Sequence, residues 1–400
     1  MTFPYVVQQG DTLYRIARRY RMNVTALLSA NPQLQESGYI YPGQVIQIPV
    51  MPTSMYVIQA GDSFFEIARR FNIDLGDLQA ANPGVDPRRL RIGQTIVLPI
   101  SRGMKIVDTS NEYGFAELQE DLQLLQQRYP FLELGSIGTT VLGRPIPVVR
   151  IGTGPKEVHY NGSFHANEWI TTSLLMNFLE EYAYSYANGI PLRGRDVRAL
   201  FEQTSLWIVP MVNPDGVELV LQGASPDNPY YAQLIEWNFG SRNFSRWKAN
   251  IRGVDLNDQF PANWEIERDR REVTGPGPRD YTGTAPLTEP EAAAMASFTE
   301  DHEFRLVVAF HTQGQEIYWN YRDMEPEESE AIADRFAQVS GYRAVKLNGS
   351  DAGYKDWFIQ EFRRPGFTIE AGIGVNPLPV SQFRQIYDDV IGIMLEGLIV

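Results

Sequence analysis

Two stretches within the first hundred residues share one pattern of apolar and polar positions. "YVVQQGDTLYRIARRY" begins at Tyr5 and "YVIQAGDSFFEIARRF" at Tyr56, each followed by "ANP" at Asn31-Pro32 and Asn82-Pro83, so the chain carries a tandem repeat offset by 51 residues. Each copy predicts a short strand (Tyr5 to Val7 in the first), a Gly-Asp-Thr or Gly-Asp-Ser turn, and an amphipathic helix, with Leu13, Ile16, Ala17 and Tyr20 recurring at helical spacing. Asp11 or Thr12 suits the N-cap, where a short side-chain oxygen accepts from the free amides of the first turn. A second helix around 26–30 and a closing strand, "QVIQIPV" or "QTIVLPI", complete each unit.

From about residue 104 the pattern changes. "FAELQEDLQLLQQRY" has helical periodicity, "KEVHYNGSF", "LWIVPMV" and "RLVVAFH" read as strands, and further helices are expected around 170–186, 289–300, 326–339 and 379–396. Strands alternating with helices over this length predict an α/β domain with a mainly parallel or mixed sheet, whose ligands collect where strands end. "VMPTSM" (50–55) and "ISRGMK" (100–105) have linker composition, which divides the chain into 1–50, 55–100 and 104–400.

Four hundred residues exceed what one core usually organises, and 43% apolar with 12% aromatic residues can supply more than one. A formal charge of -14 excludes a protein that wraps nucleic acid, and argues against acidic partners generally. With no cysteine there is no disulfide framework and no thiolate site, so any metal must be held by His, Asp or Glu. The opening "MTFPYVVQQGDTLY" has no basic region followed by an apolar run, so neither a signal peptide nor a lipidation signal is expected, and no stretch is suited to membrane insertion.

"FHANEW" places His165 and Glu168 three positions apart, directly after the apolar strand "VHYNGSF". At that spacing both side chains can face one point, in a tight loop or in a first helical turn. His311 ends the strand "LVVAF" in the same way, and two imidazoles with a carboxylate suit Zn²⁺ with a fourth position left open. A His-x-x-Glu pair alone is common by chance, and His159 and His302 show that histidines here need not be ligands.

The repeated pattern resembles the LysM domain, a β-α-α-β module. That family binds glycans containing N-acetylglucosamine, such as peptidoglycan or chitin, in a groove that would here involve Gly10, Asp11, Thr12, Gly61, Asp62 and Ser63. The same residues would also serve as turn formers and helix caps and nothing more. "FHANEW", "VNPDGVEL", "RWKANIRGVDLN", "AFHTQGQ" and "FTIEAG", in this order, resemble the zinc carboxypeptidase superfamily over residues 104–400. The resemblance implies a mixed-sheet α/β catalytic domain and one zinc per chain on His165, Glu168 and His311, the donor set for which carboxypeptidase A is a standing example. Glu370, in "FTIE", matches the family's general base and acid. The family's oxyanion-stabilising arginine follows a tryptophan; here Trp247 is followed by Lys248, with Arg246 and Arg252 as nearby alternatives.

The family next carries Asn-Arg, the arginine clasping a peptide's terminal carboxylate. Here Asn257 matches but Asp258 replaces the arginine, and a carboxylate there would repel a carboxylate and attract a cation. A family tyrosine falls on Asn348 when Gly353, Asp356 and Trp357 are aligned, with Tyr354 close by. Together, glycan-binding modules and an amide hydrolase with an acidic recognition residue resemble the bacterial γ-D-glutamyl-L-diamino-acid endopeptidases. These cut peptidoglycan stem peptides before diaminopimelate or lysine, and Asp258 would pair with the extra amine. A conventional metallocarboxypeptidase on glycan-binding modules and a non-catalytic wall or spore-coat lectin are the rival readings. The implied location is the bacterial cell wall or spore envelope. The charged, Gly- and Pro-containing segment 261–291 predicts a long loop, either over the cleft or a solvated excursion, ending in a capping box at Thr288 to Glu291.

Overall fold

In each repeat the first strand pairs antiparallel with the last: β1 (Thr2–Val6) with β2 (Val45–Pro49), and β3 (Ser54–Val57) with β4 (Thr95–Leu98). The computed structural model of the chain describes residues 105–400 throughout and, before them, residues 2–7, 13, 16, 27–28, 30–34, 40–41, 43–49, 54–59, 61–71, 73 and 75–98. In the first repeat Leu13, Ile16, Leu27 and Leu28 are helical, while Gly10, Asp11, Thr12, Ala17 and Tyr20 lie outside the described residues. The second repeat shows both helices, Phe64–Phe71 and Leu75–Ala80, with Ile58, Phe64, Ile67, Leu78 and Ile96 packed between them and the sheet.

One asparagine staples each repeat. Asn82 Nδ2 donates to the Leu78 and Val97 carbonyls at 2.8 Å, and Asn82 Oδ1 accepts from Val97 N–H at 2.8 Å. Asn31 makes the same three bonds to Leu27 and Gln47. The "ANP" repeat thus closes the end of the second helix onto the last strand, satisfying backbone groups that helix termini leave free. In the turn of the second copy, Gly61 adopts φ +87°, Asp62 accepts from Gln59 N–H at 2.7 Å, and Ser63 Oγ accepts from Glu66 N–H at 3.1 Å.

Internal contacts divide the chain into two compact units, residues 1–106 with 127–130 and 181–198, and residues 107–126, 131–180 and 199–400. The linkers expected at 50–55 and 100–105 lie largely outside the described residues.

The second unit is built on an eight-stranded mixed sheet. Its strands are β5 (Glu133–Thr139), β6 (Pro145–Ile151), β7 (Lys156–Gly162), β8 (Thr204–Val209), β9 (Leu306–His311), β10 (Glu316–Tyr318), β11 (Arg343–Val345) and β12 (Gly366–Glu370), in spatial order β11-β10-β12-β9-β7-β8-β6-β5. The central four, β12, β9, β7 and β8, run parallel, and antiparallel β6 and β10 flank them. Residues of β7 alternate between two covered faces. Tyr160 donates its hydroxyl to the Met394 carbonyl (2.7 Å) in the helix Phe383–Gly397, while His159 packs among Phe298, Phe304 and Tyr354 beneath the helices Pro290–Glu300 and Tyr354–Phe362. Burial on both faces explains why β9, "LVVAF" before His311, reads as a continuous apolar run. It also settles His159 as a core residue, its ring drawn down to a pKa of about 3 by burial and so neutral.

Segment 261–291 is not a solvated excursion. It contains a helix, Trp264–Arg271, and packs along residues 248–259: the amides of Lys248 and Ala249 donate to the Pro278 carbonyl, and Asp255 N–H to the Tyr281 carbonyl at 2.8 Å. Gly253, at φ +72°, lies so close to this segment that a Cβ would stand 2.7 Å from Gly277 N, so only glycine fits. The expected capping box does not form: Thr288 bonds to Gln259, and the Glu291 carboxylate accepts instead from Val141 N–H.

Candidate metal centre

The chain passes from β7 to β8 on one side and returns as β9 on the other side of β7, so the β7/β9 boundary is the point where strand order reverses. Open parallel sheets bind ligands beyond the carboxyl ends of their strands at such a point. His311 and Glu370 are cross-strand partners at the ends of β9 and β12, and His165 follows the end of β7.

A turn fixes the first pair. Ser163 takes φ +50°, its amide donates to Thr171 Oγ1 at 2.8 Å, and Ala166–Glu168 forms a single 3-10 turn before the helix Ile170–Asn188. Ala166 N–H donates to the Lys248 carbonyl at 2.9 Å, binding this turn to the loop that carries the candidate oxyanion cation. Asn213, in "VNPDG", donates to the carbonyls of Phe164 and Ala249 (3.2 and 3.1 Å), holding the same two segments together.

Donor atoms of three residues converge. His165 Nδ1 lies 2.9 Å from Glu168 Oε1, His311 Nδ1 lies 3.0 Å from Glu168 Oε2, and the two Nδ1 atoms are 3.1 Å apart. Tetrahedral zinc, with bonds of about 2.0–2.1 Å, separates its ligand atoms by about 3.3 Å, so the two imidazoles and this carboxylate are spaced to share one ion. All three residues are buried, and two ring nitrogens facing each other beside a carboxylate form a donor set whose natural occupant is a cation. Burial pushes the Glu168 carboxyl up, but His165 and His311 outweigh it and hold it down at about 2. For His311 burial opposes the charged ring, and the bond to Glu168 outweighs it and raises the pKa.

Two partners of these residues were not predicted from the sequence. Asp255 Oδ1 lies 3.3 Å from His165 Nε2, placing a carboxylate behind the ring on the side away from Nδ1. Asn376 Nδ2 donates to Glu168 Oε1 at 3.2 Å and to the Thr312 carbonyl at 2.8 Å, orienting the carboxylate from the loop after β12.

Glu370 is the cross-strand neighbour of His311 and is half-buried. Burial pushes its carboxyl up to about 7, with His311 opposing, Glu168 adding to the rise and Lys248 opposing it. Of the three candidate cations, Lys248 is the one wired to the centre: Nζ lies 2.7 Å from Asp255 Oδ2, and only 13% of the side chain is exposed. Burial works against its charge, but Asp255, Asp258 and Asp280 outweigh it and hold the amine protonated. Arg246 is exposed, and Arg252 is engaged with the Tyr230 hydroxyl and Glu289.

The substrate-facing residues read from the sequence fare differently. Asn257 Oδ1 accepts from Tyr354 N–H at 3.1 Å and so caps the helix that Tyr354 begins. Tyr354 itself belongs to the core, its hydroxyl bonded to Thr299 and its ring against Phe164 and Phe260. Asn348 is exposed and lines a polar hollow with Asn320, Arg322 and Asp351. Asp258 is buried beneath Arg271, whose Nη2 donates to Oδ1 at 2.9 Å and whose Nε lies 2.9 Å from Oδ2 as an ion-pair contact without a hydrogen bond. Burial and the Asp255 carboxylate push the Asp258 carboxyl up, against the pull of Lys248 and Arg271.

Comparisons with known proteins agree with this geometry. Residues 118–390 match the zinc carboxypeptidase family model, and residues 5–49 and 56–99 each match the LysM domain. The gamma-D-glutamyl-L-diamino acid endopeptidase 1 of Lysinibacillus sphaericus is 47% identical over 393 residues, covering 98% of this chain and 99% of that protein. The uncharacterized protein YqgT of Bacillus subtilis (strain 168) is 38% identical, over 97% of this chain and 96% of its own. Bovine thrombin-activatable fibrinolysis inhibitor, solved with tick carboxypeptidase inhibitor, superposes with a TM-score of 0.57 at 19% identity, covering 72% of this chain and 97% of that one, a likeness of fold alone. The chain therefore belongs to the zinc carboxypeptidase family, as a zinc peptidase that carries two LysM domains ahead of its catalytic fold.

Proposed function

We propose that this chain hydrolyses the amide bond between γ-D-glutamate and a diamino acid in peptidoglycan stem peptides, and that its LysM domains hold it on wall glycan. What carries the reading is the end-to-end match to a protein named for that endopeptidase activity, LysM domains and peptidase domain together. Zinc held by His165, Glu168 and His311 would supply Lewis-acid polarisation of the scissile carbonyl and of a water molecule.

Glu370 accepts the water's proton and returns it to the leaving nitrogen, a double duty suited to a carboxyl pushed up to about 7. Lys248 supplies positive charge towards the developing oxyanion, and as an ammonium it does so without the planar fork of arginine. Asp255 and Asn376 keep the ligands oriented. Gly10, Asp11 and Thr12, with Gly61, Asp62 and Ser63, form the glycan grooves in this reading, the last two also serving their turn and cap. Tethering raises local concentration on an insoluble substrate without adding catalytic contacts. The three functional segments are residues 1–50, 55–100 and 104–400, and the place of action is the bacterial wall or spore envelope.

The test is mass spectrometry of defined stem peptides incubated with the zinc-loaded chain. L-alanyl-γ-D-glutamyl-diaminopimelate should yield L-alanyl-D-glutamate and free diaminopimelate. Release of single terminal residues from ordinary peptides, with the stem peptide untouched, would make it a conventional carboxypeptidase. Deleting residues 1–102 should abolish co-sedimentation with purified peptidoglycan.

A further inference from the structure

The family's carboxylate-clasping arginine is missing at position 258, yet a guanidinium occupies its neighbourhood. Arg271, the last residue of the helix Trp264–Arg271, donates from Nη2 to Asp258 Oδ1 at 2.9 Å, and its Nε sits between two carboxylates, 2.9 Å from Asp258 Oδ2 and 2.7 Å from Glu267 Oε1. Asp258 is only 4% exposed beneath it, whereas 30% of the Arg271 side chain is accessible, so a molecule entering here meets the guanidinium and not the carboxylate.

Nη1 makes a 3.4 Å hydrogen bond to Asp280 Oδ1, which engages one of its two N–H groups and leaves the other without an acceptor in that contact. The same Asp280 oxygen lies 3.6 Å from Lys248 Nζ, which is paired to Asp255, the partner of His165. A short chain of ion pairs thus runs from the metal ligands to Arg271.

The helix that presents Arg271 is anchored independently of that contact. The Trp264 indole donates to the Thr282 carbonyl at 3.1 Å, Asn263 donates to the Tyr321 hydroxyl at 2.7 Å, and the buried Glu267 carboxylate accepts from Asp351 N–H at 2.9 Å. Neighbouring Arg270 is consumed between Glu267 and Asp351, a structural pairing. Arg271 is therefore the arginine of this helix that is held in the site with bonding capacity to spare. Burial opposes its charge, and Asp258 outweighs burial and keeps it protonated.

We propose that Arg271 is the specificity-determining residue that binds a carboxylate of the departing diamino acid, with Asp258 as its positioning residue. The inference rests on the endopeptidase reading above. A planar guanidinium held at one edge offers its free N–H groups in the geometry that a carboxylate accepts. The cation that the family carries at 258 is here delivered by a separate helix, so the sequence change at 258 relocates the clasp without removing it.

The experiment compares kcat and KM of the zinc-loaded full chain on two stem peptides, one with the diamino acid's carboxylates free and one with them amidated. The native chain should favour the free acid by about 10- to 100-fold in kcat/KM, chiefly through KM, the usual worth of a charge-assisted bidentate contact. Arg271→Gln should bring that ratio close to one, Asp258→Asn should reduce it partially, and Arg268→Gln on the same helix should leave it as in the native chain. Zinc content and circular dichroism verify folding; if Arg271→Gln fails to fold, Arg271→Lys should show an intermediate ratio. An Arg271 variant that lowers both substrates equally, or neither, overturns the assignment, as does a native ratio of one. If the native chain cleaves neither peptide, the endopeptidase reading fails and takes this inference with it.

Discussion

Glu370 closes β12 opposite His311, and that single register pairing sets both its neighbours and its chemistry. Only the ionised carboxylate can accept a proton, so kcat/KM should rise with pH as Glu370 ionises. Burial pushes the carboxyl up to about 7, and a cation at the triad draws it back, so the midpoint of that rise should fall at or below pH 7. Glu370→Gln should lower kcat by about 10²–10⁴-fold and abolish this limb of the profile while zinc remains bound. An unaltered pH profile in the variant would assign the base to another group. His165 and Glu168 were legible as a pair just after β7 and His311 at the end of β9, where an open sheet exposes side chains to ligands, while the full ligand set and Glu370 were legible through the resemblance to zinc carboxypeptidases. Asp255, Asn376 and Arg271 were not, because what distinguishes them is a partner brought close only by the fold. Asn376 meets Glu168 across 208 positions of the chain. Nor does any local pattern announce that Arg271, 13 positions on, covers Asp258.

The long helices and central strands of the catalytic unit follow the apolar periodicity closely, since strands covered on both faces and helices covering them leave strong patterns. Segment 261–291 did not yield to it. Its composition reads as loop, but Trp264 and the backbone bonds to residues 248–259 order it, and burial of one indole outweighs a charged, Pro- and Gly-containing sequence. The repeats hold a clearer lesson, for "ANP" looks like mere turn composition and is a closure device. Asn82→Ala would strand Val97 N–H and the Leu78 and Val97 carbonyls, costing the second repeat about 1–3 kcal/mol. Calorimetry of the full chain should show the transition of that repeat moved to lower temperature, with Asn31→Ala acting likewise on the first. An unshifted transition would show that solvent replaces the staple.

At the scale of the whole molecule, the chain couples glycan-binding modules to a sheet whose strand order reverses between β7 and β9, and the metal ligands stand at that reversal. The order of motifs made this architecture legible, whereas the strand order and the position of Arg271 required the fold. Catalysis of this kind depends on three separated side chains sharing one ion beside Glu370. The most direct measurement is zinc content by elemental analysis after exhaustive dialysis of the native chain, Glu370→Gln, His165→Ala and His311→Ala. About one zinc per chain is expected in the first two, with its loss from both histidine variants. A native chain that binds no zinc, or histidine variants that keep it undiminished, would contradict it.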